Sequence, residues 1–345
     1  MKLPISIIVL CFFLLNTCSI DDSYRNHYSE RITLIEWTQA DFSLSKVEER
    51  TISLLVTPNT DTLDEIIQRI DEAKKRIWIE VYSMTEKRIR EAIIRAKKRW
   101  IDTKVILEEN VFWFPKMNRE SFGILEKNWI EVSYASNHLY NFTHAKFYII
   151  DDIYIISTWN IAHTTFTKNR EFFAKWNNQS DLIQLEKIFI YDSKKEKLLT
   201  SSWYNLIISP INSRTNLVKI IQQAEKNIVI YIQSLSDDIM IENLEKSANN
   251  GIQIKICLAE KNEKSDINEV KEKLWKYSNV HISTSKKPYI HAKIVLIDNK
   301  YIFLWSTNFT ENAIIHNREV WIVWKEPENG KNIQIIQEKY TSDCE

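Results

Sequence analysis

An internal duplication spans most of the chain and constrains its fold more than any other feature of the sequence. The two copies agree best in three short blocks, which are residues 144–151 with 291–298, residues 157–160 with 305–308, and residues 169–171 with 317–319. The offset is 147 residues in the first block (291 − 144) and 148 in the other two (305 − 157). We expect the hairpin after Asp151 to be one residue shorter than the hairpin after Asp298, which absorbs this difference.

Both copies also share one order of predicted helices and strands. Helical spacing of apolar residues and short apolar runs predict helix, strand, helix and strand at residues 63–73, 77–83, 86–100 and 103–108, and again at 217–224, 228–234, 239–248 and 252–258. Alternating strands and helices predict an α/β fold with helices on both faces of each sheet. We therefore expect two homologous α/β/α sandwich domains, at residues 50–195 and 196–345, related by a pseudo-twofold axis and built on mixed, mostly parallel sheets.

The composition excludes several common classes of enzyme. The three glycines lie far apart, at Gly123, Gly251 and Gly330, whereas dinucleotide-binding and Walker loops need clustered glycines to approach phosphate. The 46 basic and 46 acidic residues cancel, so the charge of the whole chain does not favour binding to nucleic acid.

The first 18 residues read as an export signal. Lys2 precedes an apolar run at residues 3–15 that is too short to span a bilayer as a helix. The sequence before Cys18 resembles the lipobox of bacterial lipoproteins, which predicts lipidation of Cys18, with an ordinary cleaved signal or an uncleaved anchor as alternatives. Residues 19–49 would then form a tether, and the protein would be exported to the bacterial cell envelope, attached to the membrane through its lipid or secreted.

Only Cys257 and Cys344 follow the signal, so the sequence shows no disulfide framework. Cys257 lies within an apolar strand pattern, and we expect it to be a buried core residue.

The polar residues of the repeated blocks are unusual because they interrupt apolar strands, where an unpaired polar group costs several kcal/mol. Side chains two apart on a strand share a face, so each His lies beside its Lys, in the pairs His144 with Lys146 and His291 with Lys293. Asp151 and Asp298 fall on the opposite face, and we interpret both as supporting, turn-forming groups.

A pseudo-twofold association would bring two imidazoles, two ammonium groups and two amides into one cleft. This set can cleave a phosphodiester without metal or cofactor, through a His nucleophile, a His acid and cations around the phosphoryl oxygens. A neutral His can attack phosphorus if its Nδ1 proton is held by a carboxylate, and Glu171 and Glu319 are the candidates.

These residues resemble the phospholipase D superfamily, whose His-x-Lys-x4-Asp motif here occurs twice. The resemblance covers roughly residues 51–340 and implies a phosphodiesterase with phospholipase D-like domains and a phosphohistidine intermediate on His144, with His291 as general acid. It implies phosphate binding by Lys146, Lys293, Asn160 and Asn308. Thr158 and Ser306 stand at the hydroxyl position of the motif, whereas Ser157 and Trp305 replace its glycine, and Trp305 could narrow the cleft.

The motif predicts the bond that is cleaved, not the molecule that carries it. We expect a phospholipase D-like hydrolase acting on phospholipid, because export places the chain among lipids and because residues 111–117, Val-Phe-Trp-Phe-Pro-Lys-Met, could form an apolar lip on a lipid surface. The same loop could equally cap the core. The alternatives are a nonspecific endonuclease, favoured if the basic helix at residues 86–100 lines the cleft, a cardiolipin synthase-like transferase, or a catalytically silent binding module.

Overall fold

The structure, a computed structural model, describes residues 42–199, 205–260 and 264–345. The predicted signal at residues 1–18 with Cys18, and the predicted tether up to residue 41, lie outside the described residues. Residues 42–49, which the sequence assigned to the tether, pack on the second half. They carry a short 3-10 helix, Leu44–Lys46, and the side chains of Phe42, Leu44 and Val47 are buried. The folded part therefore begins before residue 50.

The two halves repeat one order of strands and helices. The first half comprises β1 (Ser53–Thr57), α1 (Thr60–Glu72), β2 (Arg76–Val81), α2 (Lys87–Lys98), β3 (Asp102–Leu107), α3 (Arg119–Lys127), β4 (Glu131–Tyr134), β5 (Lys146–Ile150), β6 (Ile153–Ser157), α4 (His163–Thr167), β7 (Asn169–Trp176) and α5 (Gln179–Ser193).

The second half comprises β8 (Leu206–Ser209), α6 (Ser213–Gln222), β9 (Asn227–Ile232), α7 (Asp238–Asn249), β10 (Gln253–Ala259), α8 (Lys264–Leu274), β11 (Val280–Ser285), β12 (Tyr289–Ile290), β13 (Lys293–Ile297), β14 (Tyr301–Trp305), α9 (Glu311–Ile315), β15 (Glu319–Lys325) and α10 (Asn332–Cys344). Within the three described ranges, no helix is both long enough and apolar enough to cross a membrane.

Each half forms one mixed sheet, which confirms the predicted α/β class. The strand orders are β1-β7-β6-β5-β2-β3-β4 and β11-β10-β9-β13-β14-β15-β8, and β12 of the second half pairs with β7 of the first. The expectation of mostly parallel sheets is wrong. Along each of these two orders the parallel pairs lie at one edge, β2-β3-β4 and β9-β10-β11, while the strands that follow the His motif run back and forth as antiparallel hairpins.

The two sheets pack against each other on their inner faces. Strands β6 and β7 contact β14, and β15 contacts β5 and β6. One hydrophobic core lies between the halves and contains residues of both sheets and of helices α5 and α10. Two further cores lie beneath the outer helices, one in each half. Helices thus cover the outer face of each sheet as predicted, whereas part of the inner face is covered by the other sheet, because both inner faces are apolar.

Asp151 and Asp298 occupy equivalent hairpin turns and have positive φ angles of 53° and 57°. The Asp151 carboxylate accepts hydrogen bonds from the backbone N–H groups of Lys74, Lys75 and Arg76 at 2.7–3.0 Å, and Asp298 binds residues 225–227 in the same way. These bonds join each His-bearing hairpin to the start of β2 or β9. The hairpin loops hold two and three residues respectively, as the change in offset predicts.

Cys257 is a buried residue of β10, as predicted. It forms a disulfide with Cys344, however, which corrects the expectation that the sequence contains no disulfide framework. The bond joins β10 to the end of α10 across 87 residues of sequence. This bond ties the last helix to the second sheet.

Candidate active site

The histidine of each motif is paired with a glutamate of the other half. His144 Nδ1 lies 2.9 Å from Glu319 Oε1, and His291 Nδ1 lies 2.8 Å from Glu171 Oε1. Both glutamates are fully buried, while the histidine side chains are 16% and 12% exposed. The sequence left open which glutamate serves which histidine, and the structure shows that the pairs cross between the halves.

The backbone makes the same crossed connection. The N–H of His144 donates to the carbonyl of Arg318 at 2.8 Å, and the N–H of His291 donates to the carbonyl of Arg170 at 3.2 Å. Because Arg170 precedes Glu171 and Arg318 precedes Glu319, each His-bearing segment is fixed directly beside the glutamate that its imidazole contacts.

A hydroxyl and an amide from its own half orient each glutamate. Thr158 Oγ1 donates to Glu171 Oε2 at 2.6 Å, and Ser306 donates to Glu319. Asn169 and Asn317 lie 3.4 Å from the other carboxylate oxygens. Thr158 and Ser306 therefore act as supports of the glutamates, and neither contacts a histidine in the described structure.

The lysines lie at the base of the site and are fully buried. Lys146 Nζ donates to the carbonyl of His144 at 2.6 Å, and Lys293 Nζ donates to that of His291 at 2.7 Å. Burial lowers the pKa of Lys293 to about 8 and the pKa of Lys146 well below its usual value. A phosphate dianion or monoanion bound here would restore the charged form of both ammonium groups.

Burial also lowers the pKa of both histidines, to about 4 for His144. The partner glutamates oppose this shift. The charge of Lys293 further lowers the pKa of His144, and the charge of Lys146 further lowers that of His291. These interactions between residues of different halves place both motifs in one electrostatic environment. The histidines are therefore neutral in the free protein near pH 7, with Nδ1–H donated to carboxylate and Nε2 left as a lone pair.

The amides predicted to bind phosphate lie in the same region. Asn308 Nδ2 donates to Gln233 Oε1 at 3.3 Å, and the side-chain oxygens of Asn160 and Asn308 are buried without a hydrogen-bond partner in the described structure. An unpaired amide oxygen can accept a hydrogen bond from a ligand, whereas binding to a phosphate oxygen would use the Nδ2 donor of the same amide.

Tyr82 and Gln233 are site residues that the sequence interpretation missed. Both directly follow matched strands, β2 and β9, at their carboxyl ends. The Tyr82 ring meets the His144 ring edge-on at 4.5 Å between centroids, and Gln233 Oε1 lies 3.2 Å from Lys293 Nζ. Both residues stand at equivalent positions of the duplication, and this equivalence is the sequence feature that could have identified them as site residues. The first half therefore contributes an aromatic ring, Tyr82, at the position where the second half contributes an amide, Gln233.

Two buried ion pairs behind the site were also missed. The Arg170 guanidinium binds both carboxylate oxygens of Asp343 at 2.6 and 3.0 Å, and Arg318 binds Asp192 at 2.8 and 3.0 Å. Each pair joins the two halves. The sequence feature that could have drawn attention to both arginines is the recurrence of Asn-Arg-Glu at an offset of 148 residues (318 − 170).

Trp305 does not narrow the cleft. Its ring is buried and packs on Phe309 and Trp321, at centroid distances of 5.1 and 5.3 Å, in the core beneath the outer helices. Trp159 occupies the corresponding core of the first half. The glycine position of the motif thus faces the interior, and the expectation that Trp305 obstructs the site is wrong. Ser157, at the same position of the first half, is also buried.

Comparison with known proteins shows the family of both halves. The family model described as "Cardiolipin synthase, PLD-like domain" matches residues 66–193 and again residues 217–343. Two proteins named phospholipase D resemble about half of this chain. The protein from Rickettsia felis is 25% identical over 170 residues, which are 49% of this chain and 83% of that protein, and the protein from Rickettsia conorii is 24% identical over 173 residues, with the same coverage.

Solved structures share the fold at low sequence identity. A phosphatidylserine synthase from Haemophilus influenzae is 14% identical, has a TM-score of 0.70, and is matched over 88% of this chain and 90% of that one. A polyphosphate kinase from Porphyromonas gingivalis is 14% identical with a TM-score of 0.64, and the match covers 84% of this chain but 50% of the kinase. At these identities the likeness concerns the fold alone.

Proposed function

The chain belongs to the PLD-like domain family, which supports a role in phosphodiester or phospholipid chemistry, and from this premise we propose that it is a phospholipase D that hydrolyses phospholipid to phosphatidic acid and a free head group. The observation that carries the proposal is the crossed pairing of His144 with Glu319 and of His291 with Glu171. Each carboxylate holds an Nδ1 proton, and this leaves two Nε2 atoms for chemistry in one site.

In the proposed reaction, His144 Nε2 attacks phosphorus and the head-group oxygen leaves, taking a proton from the imidazolium of His291. Neutral His291 then takes a proton from water, whose oxygen attacks phosphorus and releases His144. An anionic phosphodiester bound between the rings favours the protonated form of one of them, which offsets the effect of burial on its pKa. Lys146 and Lys293 stabilise the charge on the equatorial oxygens.

We propose lipid rather than nucleic acid as the substrate. Arg88 and Arg95 of α2 pair with Asp64 and Asp71 of helix α1 in the outer layer. These two charges are compensated and belong to the helical layer that covers the outer face of the first sheet. A groove for nucleic acid would need uncompensated cations along the cleft.

We also propose that the protein is exported. The Cys257–Cys344 disulfide supports an oxidising compartment, in agreement with the signal predicted at residues 1–18. Membrane attachment through a lipid on Cys18 is part of this proposal. Lipid analysis of the protein isolated from membranes, compared with a Cys18→Ser variant, tests it.

The function is tested by incubating the purified mature protein with phosphatidylcholine, cardiolipin or plasmid DNA, with and without EDTA. We expect release of choline and phosphatidic acid from phosphatidylcholine, insensitive to EDTA, and loss of turnover in His144→Ala and His291→Ala. Cleavage of plasmid without lipid hydrolysis would favour a nuclease. Formation of a new phosphatidyl ester with added glycerol, in place of phosphatidic acid, would favour a transferase.

A further inference from the structure

The loop between β3 and α3 is fixed firmly at its base beside the active site. Buried Asn118 donates from Nδ2 to the carbonyls of Tyr82 and Glu108, at 2.8 and 2.7 Å, and accepts a hydrogen bond from the N–H of Met84 at 2.9 Å. Glu108 accepts the N–H groups of Asn110 and Thr143 through its side chain, at 2.8 and 2.7 Å. The base of the loop is thereby joined to β2 and to the segment that carries His144.

The tip of this loop presents three consecutive aromatic side chains to solvent. Phe112, Trp113 and Phe114 are 58%, 78% and 62% exposed, so the loop does not cap the core. Trp113 has a φ of 68°, a conformation that bulky residues rarely adopt. A run of exposed apolar residues on a fixed loop is typical of an interaction surface. Lys116, which follows, is exposed and adds a positive charge.

Aromatic rings connect this tip to the catalytic histidine. The Phe112 and Phe142 ring centroids lie 6.1 Å apart, Phe142 and Tyr82 lie 6.1 Å apart, and Tyr82 contacts His144 at 4.5 Å. In addition, the Tyr82 hydroxyl accepts the N–H of Phe112 at 2.6 Å. Phe112, Phe142 and Tyr82 therefore form an aromatic path from the exposed tip to His144, the nucleophile of the proposed reaction.

The segment of the second half that corresponds to the loop after β3 is rich in charged residues. The segment after β10 reads Glu-Lys-Asn-Glu-Lys at residues 260–264, and Gln233 stands where the first half has Tyr82. The two sides of the site thus differ at the position that follows the matched strands. The Tyr82 ring contacts His144, whereas the Gln233 amide lies beside Lys293 and donates to the hydroxyl of Tyr289. A phospholipid has the same division, with diacylglycerol on one side of the phosphate and the head group on the other.

We propose that Phe112, Trp113 and Phe114 dock the protein on a lipid surface, and that the aromatic path holds the diacylglycerol side of a phospholipid against His144 while the head group lies toward His291. The docking surface is independent of catalysis, whereas the orientation of the substrate rests on the function proposed above. The orientation determines which P–O bond breaks, because the group opposite the nucleophile leaves.

The test compares the double variant Trp113→Ser, Phe114→Ser with the matched double variant Trp100→Ser, Trp129→Ser. Trp100 and Trp129 are 94% and 85% exposed. They precede β3 and β4, at the edge of the first sheet opposite the active site. Binding is measured by co-sedimentation with phosphatidylcholine vesicles, with and without phosphatidylglycerol, in a His144→Ala background that cannot turn over. Hydrolysis is measured on the same vesicles and on soluble bis(p-nitrophenyl) phosphate.

Each of the two replaced side chains contributes about a factor of ten when it moves fully out of water, which gives about 100-fold for complete transfer. Because a loop tip transfers its side chains only in part, we expect the tip variant to bind vesicles roughly 30-fold more weakly. Its ratio of vesicle hydrolysis to soluble-substrate hydrolysis falls by a similar factor, and the Trp100, Trp129 variant keeps the parental values. Unchanged vesicle binding in the tip variant would overturn the docking surface. The same holds if the tip variant keeps its vesicle binding and instead loses self-association, measured by analytical ultracentrifugation.

The two proposals fail in different ways. If the parent protein hydrolyses neither substrate but binds vesicles through the tip, the docking surface stands and the catalytic function is wrong. If it hydrolyses vesicle phospholipid as well as soluble diester and the tip variant still binds vesicles, the docking surface is wrong and the function stands. Release of diacylglycerol in place of phosphatidic acid would refute the proposed orientation.

Discussion

The crossed pairing of histidines and glutamates predicts a pattern of rates that a conventional arrangement within each half would reverse. Glu319 contacts His144 and Glu171 contacts His291. We consider the replacements Glu319→Gln and Glu171→Gln, which keep the side-chain volume and remove the charge. Glu319→Gln weakens the support of the nucleophile, whereas Glu171→Gln weakens the support of the general acid.

The size of the effect follows from the geometry. Each contact is a hydrogen bond of 2.8 or 2.9 Å to a fully buried carboxylate, and hydrogen bonds to charged groups are worth about 1.5–3 kcal/mol. Replacing the charged acceptor with a neutral amide, which can keep only an uncharged hydrogen bond, therefore slows the affected step by up to roughly 10- to 150-fold. The burial of both carboxylates favours the upper part of this range.

The assay compares single-turnover rates of formation of the covalent intermediate, because His291 also serves as the base of the later hydrolysis step for every substrate. One substrate is a choline phosphodiester, whose leaving alkoxide needs an acid, and the other is a p-nitrophenyl phosphodiester, whose leaving group needs none. Glu319→Gln should slow formation of the intermediate from both substrates by a similar factor, and Glu171→Gln should slow it for the choline substrate alone. If Glu171→Gln slowed both substrates and Glu319→Gln only the choline ester, the crossed assignment would be refuted. Thermal unfolding of each variant serves as the control for folding.

Three further outcomes follow from the structure. Replacing Cys257 and Cys344 with Ser should lower the free energy of unfolding by roughly 4.5 kcal/mol, because the disulfide closes 87 residues; urea titration measures it, and an unchanged midpoint would contradict it. Burial lowers the pKa of His291, so kcat/KM for a choline ester should fall as pH rises through a value below 6.5, as the acid loses its proton. With a p-nitrophenyl ester the fall should begin only near pH 8, where Lys293 loses its proton, and identical pH profiles would argue against this. Asp298→Ala should cost roughly 1–3 kcal/mol of stability by urea titration and leave kcat nearly unchanged, whereas loss of turnover in the folded variant would assign Asp298 to catalysis.

The duplication made much of the fold predictable. The helices and strands at residues 63–108 and 217–258, the lengths of the hairpins after Asp151 and Asp298, and the outer helical layers follow from periodicity and repeated spacing, whereas helices such as α3, α5 and α10 were not predicted. The predicted hairpins imply antiparallel pairing of β5 with β6 and of β13 with β14, but the pairing direction of the other strands does not follow from the sequence. The apolar run of β7, for example, is as compatible with a parallel as with an antiparallel neighbour.

Contacts between distant parts of the chain were beyond the sequence. The spacing of Glu171 and Glu319 is the same whether each serves the histidine of its own half or of the other, so the pattern alone could not decide. Cys257 and Cys344 lie in a strand and in a helix, and nothing in their separation indicates that the last helix returns to β10. Tyr82 and Gln233 differ between the copies, so a search for repeated polar residues passes over both.

The central claim is that both imidazoles act on one phosphorus, with His144 as the nucleophile and His291 as the acid and base. It is tested most directly by quenching His291→Ala with SDS at alkaline pH, where phosphohistidine is stable, during reaction with a phosphorus-labelled p-nitrophenyl diester, and by mapping the label with mass spectrometry under the same conditions. This leaving group needs no acid, and the variant lacks the base that activates water, so the phosphohistidine should accumulate on His144 in about one equivalent per protein. Accumulation on another residue, or steady turnover of His291→Ala without label on the protein, would contradict the account.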